Sequence, residues 1–574
     1  AIVLSVVTAL TLTPALSAML VRPSHGSPRG FFKWFEAGLN RLRAGYRWSL
    51  ERVLSPAGLA GTAVAFIALC ALVGVIWQRV PTGFVPVEDQ GYFIVIVQAP
   101  EGTSLERTSQ IVARIEGTLL DDEDIESTFV PIGFSFEGTA PNRATLFPIL
   151  RERAERDGEE HTAEAVMARM QVAFSSIPEA SIVAIPPPPI RGLGNLGGFE
   201  LRLEDRIDSG LASLDQQTSQ LTAAANADPR VTNTFSTFQA NDPQFRVDVD
   251  RDRARALGVP LDELFGTIQV LLGSVYVNDF ELEARPYRVY VQADAPYRTH
   301  PQDIDELYVR SNTGRMVPLA NLVQLEEEAT PQIISHFNMF RSATINGGAS
   351  PGSSSGDAID AMTELSDREL PPGFAIEWSG LAQEELESRG QTATLFGLGL
   401  LVIFLILAAQ YESVVLPFVI LLSVPMAVLG AIGAQALRGL TNDVFCQVGL
   451  LMLVGLAAKN AILIVEFVEQ LRKEQGKPLR EAVVEACAVR LRPILMTSFA
   501  FIMGVIPLVV AGGAGQAARQ SLGTAVFGGM IVSTVLNLFV VPVAYMLTVR
   551  IRDRVGALMP SSRQPKKAES VPAE

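Results

Sequence analysis

Lys459 and Asn460 interrupt an otherwise apolar run, GLAAKNAILIVEF, at residues 455–467. A lone ammonium group at such a position costs roughly 3 kcal/mol on membrane-insertion scales, so a carboxylate partner is expected for it. Glu466 follows seven positions later on the same helix face, about 10 Å along the axis, which is too far for a direct pair. No other acidic residue lies at matching depth in the apolar segments, so the partner is expected from another part of the protein. The plainer alternative is a Lys that faces a water-filled crevice. A second polar set lies in VRLRPILMTSFAF, residues 489–501, which holds Arg490, Arg492, Pro493 and Thr497. Pro493 is compatible with a helix start beside it. If neighbouring helices bring Arg490 and Thr497 towards Lys459, the three form a polar relay. Taken singly, Arg490 and Arg492 read as interface anchors, and the Thr497 hydroxyl as bonded to its own helix.

A third set is aromatic. Phe129, Phe134 and Phe136 lie in TFVPIGFSFEG, with Phe147 shortly after, and Gly133 and Gly138 bracket the central pair. Rings on a glycine-flanked turn can line an apolar ligand pocket; ordinary sheet core gives the same spacing.

Other chemistries find little support. His25, His161, His300 and His336 form no metal-binding pattern, and Cys70, Cys446 and Cys487 have no metal-ligand or disulfide spacing. GLGNLGG at 192–198 follows a proline run and precedes a strand, so it does not fit a phosphate cradle. A net charge of −15 argues against a nucleic-acid partner. No enzyme signature is present, and no cofactor is expected.

The elements that must position these residues are mostly membrane helices. Of 574 residues, 48% are hydrophobic, and hydropathy marks seven spans at about 1–21, 57–80, 392–410, 413–437, 444–468, 494–512 and 521–548. The chain opens without Met or a basic leader region, and the first stretch reads as the end of a helix cut from a longer chain. Basic residues crowd the segment after the first span (Arg22, Arg29, Lys33, Arg41, Arg43, Arg47, Arg52), the connection at 469–493 and the tail. Alternation places all three on the cytoplasmic side.

The polar region of about 300 residues between the second and third spans then lies outside. It alternates strands with helices, including a capping box at Thr103–Glu106 and helices near 161–177 and 210–227. Two β-α-β cycles suggest a pair of ferredoxin-like α+β units. The stretch 241–346 interrupts the second unit and carries a hairpin-like pair, SVYVNDFELEA and RPYRVYVQAD.

GLTNDVFCQVGLLMLVGLAAKNAILIVEF, RLRPILMTS and LAAQYES together resemble the C-terminal half of a resistance-nodulation-division efflux pump. The branch is the hydrophobe/amphiphile exporters of the AcrB/MexB type. VPVEDQGYF, GFSFEG, ALGV, YVNDF and MVPLANL extend the resemblance from the first residue to about Arg550.

The resemblance implies a membrane protein with an α-helical transmembrane bundle and a large periplasmic α+β region. That region comprises two porter subdomains, at 86–190 and at 195–240 with 347–382, and a funnel or docking subdomain at 241–346. The remainder divides into 1–21, a cytoplasmic basic connector at 22–56, a span at 57–80, a five-helix segment at 392–548 and a cytoplasmic tail at 549–574. It also implies a homotrimer in the bacterial inner membrane, driven by the proton gradient and surrounded by lipid. A periplasmic adaptor and an outer-membrane TolC-type channel would complete a path for amphiphilic small molecules.

Residue by residue, Lys459, Arg490 and Thr497 match the proton relay. Phe134 and Phe136 match the switch-loop aromatics, and Phe129 and Phe147 match pocket phenylalanines. The acidic partners of the relay belong to the N-terminal half, so this chain is expected not to transport alone. The Pro186–Pro189 run and the RGLGNLGG that follows depart from the best-known drug pumps. Competing readings are a transporter of another substrate, such as a metal ion or lipid, within the same superfamily, and a non-transporting membrane sensor or scaffold.

Overall fold

The computed structural model describes residues 2–20, 31–156, 158–513 and 515–558. Part of the expected connector at 22–56, and the tail beyond 558, lie outside the described residues. The chain forms two compact units, one holding the described residues up to Glu88 and from Glu387 onward, the other Asp89–Leu386.

Six helices among the described residues are long and apolar enough to cross a membrane: Pro56–Arg79, Gly380–Tyr411, Val415–Arg438, Val444–Gln475, Leu479–Val509 and Gln516–Asp553. Within the expected span at 1–21, the described residues Ile2–Leu20 are helical with a π-helical turn at Thr8–Leu12, and only the shorter stretch Thr8–Leu20 qualifies as an apolar helix. Local chemistry fixes several helix starts. Ser55 accepts from the Gly58 amide at 3.1 Å with Pro56 in the first turn. Buried Asp443 accepts from the Cys446 amide at 2.8 Å and opens the helix that carries Lys459. Tight packing uses small residues: a Cβ on Gly430 would lie 2.4 Å from the Gly528 carbonyl oxygen, so two helix backbones touch there.

Two expectations about these helices are corrected. The stretch 469–493 is not a loop, because one helix runs to Gln475 and the next begins at Leu479. Pro493 therefore lies inside the Leu479–Val509 helix and does not start it.

The second unit contains two five-stranded antiparallel sheets. The first sheet has β1 (Ile94–Gln98), β2 (Ile125–Phe129), β3 (Ile132–Ser135), β4 (Gly138–Leu150) and β5 (Ser181–Ile185). Its order is β2-β4-β1-β5, with β3 also on β4. With helices Leu105–Leu120 and Ala163–Phe174 in the crossovers, this is the ferredoxin-like arrangement. The helix cap differs from the expected box: Ser104, not Thr103, accepts from the Arg107 amide, while the Thr103 hydroxyl donates to the Pro100 carbonyl.

The second sheet holds β6 (Phe199–Asp205), β7 (Val231–Ser236), β8 (Phe340–Ala349) and β9 (Phe374–Ser379), paired β8-β6-β9 with β7 on β8, and a short edge strand Ser335–Phe337 beside β8. Because Ile345 pairs with Leu201, β8 belongs to this sheet, and the inserted region ends before the expected boundary at 346. The insertion packs its own core around Leu264, Val309, Leu319 and Leu322. The hairpin Val275–Leu282/Arg285–Val291 stands exposed along nearly its whole length. Glu283 and Ala284 take positive φ at its two-residue turn, as the right-handed strand twist favours.

Candidate functional sites

β1 is apolar on both faces, and each face has its own partner. Phe93, Val95 and Val97 pack against Ile111, Ile115 and Phe174 from the two helices. Ile94 and Ile96 point the other way, towards Tyr92, Phe136, Phe147, Leu196 and Phe235. The four phenylalanines singled out by sequence meet on that side. Phe129 and Phe147 pair across β2 and β4 with ring centroids 6.0 Å apart, and Phe147 meets Phe136 at 6.4 Å. Phe136 meets Phe134 edge-on at 5.7 Å. Phe129 is 63% exposed and Phe134 37%, so the row is an accessible aromatic surface and not a closed core. Such rings offer apolar area and polarizable faces to a flat or greasy ligand.

The β3–β4 turn that presents Phe134 and Phe136 carries charge that sequence reasoning missed. Buried Arg143 on β4 lies 3.7 Å from the Glu137 carboxylate, and burial pushes its guanidinium down from the ordinary value while Glu137 and Asp242 oppose that shift. The available signal was an arginine inside the otherwise apolar strand ATLFPIL and its preceding residues.

The polar set of the membrane unit is brought together in part. Lys459 lies on the exposed stripe of its helix with Val448, Met452, Gly455 and Glu466. Among the described residues it has no ion-pair partner. Its neighbour Asn460 is buried, with Nδ2 donating to Ser498 Oγ at 3.4 Å. The Thr497 hydroxyl donates to the Ile494 carbonyl at 3.1 Å, so it bonds its own helix. The Arg490 guanidinium lies over the Phe467 ring, 4.6 Å from its centre, and its Nε is buried without a hydrogen-bond partner. Lys459, Arg490 and Thr497 thus lie on two packed helices, with Thr497 bonded to its own helix and Arg490 held over a ring of the Lys459 helix. Among the described residues no three His, Cys, Asp or Glu side chains converge as a metal site.

The chain thus combines helices long and apolar enough to cross a membrane with two ferredoxin-like units, one of which carries a phenylalanine row. The AcrB/AcrD/AcrF family profile matches residues 1–549, and the chain belongs to that family. It is similar to the toluene efflux pump membrane transporter TtgB of Pseudomonas putida, with 40% identity over 555 residues, 95% of this chain and 52% of the relative. It is also similar to the multidrug export protein AcrF of Escherichia coli, 39% identical over 554 residues, covering 95% of this chain and 53% of the relative. The multidrug resistance protein MdtF of the same organism is 39% identical over 550 residues, again 95% of this chain and 53% of the relative. The chain spans about half the length of these curated relatives.

Proposed function

We propose that the chain is the part of a proton-driven inner-membrane exporter that carries one pair of porter subdomains and the basic half of the coupling site. The phenylalanine row carries this reading: four rings in sequence contact, two of them well exposed, on the sheet face opposite the packed helices. That surface suits amphiphilic small molecules, which bury apolar area against rings while leaving a polar end wet. The efflux names of the relatives point the same way.

In this reading Lys459 pairs with carboxylates on a neighbouring set of helices, and its outward position on the helix leaves it free to do so. Protonation of those acids releases the ammonium, and the helices shift. Arg490 and Thr497 act beside it as relay groups. The assembly is a homotrimer joined by an adaptor and an outer-membrane channel, with the outer unit in the periplasm. No cofactor beyond the proton gradient is required.

The test is dye export by the intact transporter in a host lacking its own pumps. Lys459→Ala should abolish export at unchanged protein level, and Phe134→Ala with Phe136→Ala should lower it for bulky dyes. Undiminished proton-dependent export by Lys459→Ala would refute the coupling role.

A further inference from the structure

Arg143 sits where the β3–β4 hairpin meets the second ferredoxin-like subdomain. Its side chain is 8% exposed. Nη1 donates to Ser135 Oγ at 3.3 Å and faces Glu137 at the turn, while Nη2 donates to the Thr237 carbonyl at 2.7 Å. Thr237 lies just past β7, on the other sheet. The Thr237 hydroxyl returns the contact by donating to the Glu137 carboxylate. Two opposed hydrogen bonds therefore join the hairpin turn to one residue of the neighbouring subdomain.

We propose that Arg143 is a positioning residue that clasps the Phe134/Phe136 hairpin to Thr237 and so holds the phenylalanine row in place. This rests on the reading of that row as the ligand surface. The chemistry suits an arginine at this place. A guanidinium can hold a side-chain oxygen and a backbone carbonyl on two prongs of one planar fork, whereas an ammonium group has no such geometry. A buried charge left with half its partners is costly, so loss of the Thr237 carbonyl contact weakens the hold on the hairpin. The flanking residues fit this use. A Cβ on Gly138, at φ +145°, would lie 2.7 Å from Ile333 Cδ1, so the turn is already seated against its neighbour.

The experiment is amide hydrogen exchange on the 574-residue chain in detergent micelles, comparing residues 132–140 with β1 and β5. Arg143→Met should speed exchange in the hairpin about tenfold or more, the scale of losing charged hydrogen bonds. β1 and β5 should keep their protection. Arg143→Lys should fall between parent and Arg143→Met, because one prong is recovered. Thr237→Val, which leaves the carbonyl in place, should speed the hairpin less than Arg143→Met. If Arg143→Met does not fold, the Lys and Val variants carry the test. Hairpin exchange within about twofold of the parent in the folded variants overturns the clasp, as does an increase spread equally over β1 and β5. Exchange is read without transport, so failure of the clasp and failure of the export reading are distinguishable.

Discussion

Asn460 Nδ2 lies 3.4 Å from Ser498 Oγ, and this buried pair ties the helix bearing Lys459 to the helix bearing Thr497. Neither residue has water to turn to, since both are almost completely buried. Asn460→Ala and Ser498→Ala should each lower stability by about 1 kcal/mol, and the double variant should lose less than the sum, with coupling of about 0.6 kcal/mol. Thermal unfolding in detergent measures this; strictly additive losses would show that the two side chains do not share a bond.

Arg490 makes a different kind of contact. Its guanidinium lies over the Phe467 face with Nε unsatisfied, so the ring is a main restraint on its position. Phe467→Leu should remove about 1 kcal/mol of cation–π attraction and slow proton-driven export several-fold, while Phe467→Tyr should keep both. Export rates at matched expression decide it, and equal rates for Leu and Tyr would count against the ring's role.

Outside the membrane segments, Arg169 binds both Asp122 and Asp124, with its Nη2 2.6 Å from Asp122 Oδ1. Hydrogen bonding from Arg169 holds the Asp122 carboxyl below its usual range, against burial, which raises it. A depressed carboxyl contributes stability that is fully present above the unfolded value of about 4 and fades as pH falls through the lower folded value. Arg169→Met should therefore cost about 2 kcal/mol at neutral pH, and the gap to the parent should narrow below about pH 4. Unfolding followed from pH 7 to pH 3 gives the profile; a gap constant over that range contradicts the carboxylate account.

The legible parts of the fold were those fixed by one dominant effect. Hydropathy located the apolar centres of six spans because solvation alone decides them, yet it misplaced their ends. Helices continue past the bilayer core into polar sequence, so Arg490, Arg492 and Pro493 lie within one helix and not in a connection. Alternating β-α-β pattern revealed both ferredoxin-like units, whereas the ring contacts that join the four phenylalanines follow from strand pairing that their spacing does not encode. Their partners were not visible. Arg143 reaches Ser135 and Glu137 across a hairpin, but its carbonyl acceptor on Thr237 lies 94 residues away, and no local pattern predicts such a pairing. Likewise Thr497 bonds its own helix and Arg490 lies over Phe467, because facing directions on packed helices depend on neighbours that spacing does not encode.

The glycine-rich GLGNLGG, which failed as a phosphate cradle, has a packing explanation. Gly197 donates its amide to the Pro186 carbonyl at 2.8 Å, folding the segment back on the proline run. Gly198 has φ +92°, and a Cβ there would lie 2.2 Å from the Gly347 carbonyl oxygen on β8. The obstacle is backbone, which cannot rotate aside, and the conformation itself disfavours a side chain. Gly198→Ala should therefore lose about 3 kcal/mol or more, by combined strain and overpacking. Gly117 serves as the control: it lies in the Leu105–Leu120 helix with open space where a Cβ would go. Gly117→Ala should gain up to about 1 kcal/mol through helix propensity. Denaturant unfolding of the two variants separates the explanations, since a general sensitivity to alanine would move both downward. Gly198→Ala as stable as the parent would mean that the close approach of β6 and β8 does not require glycine.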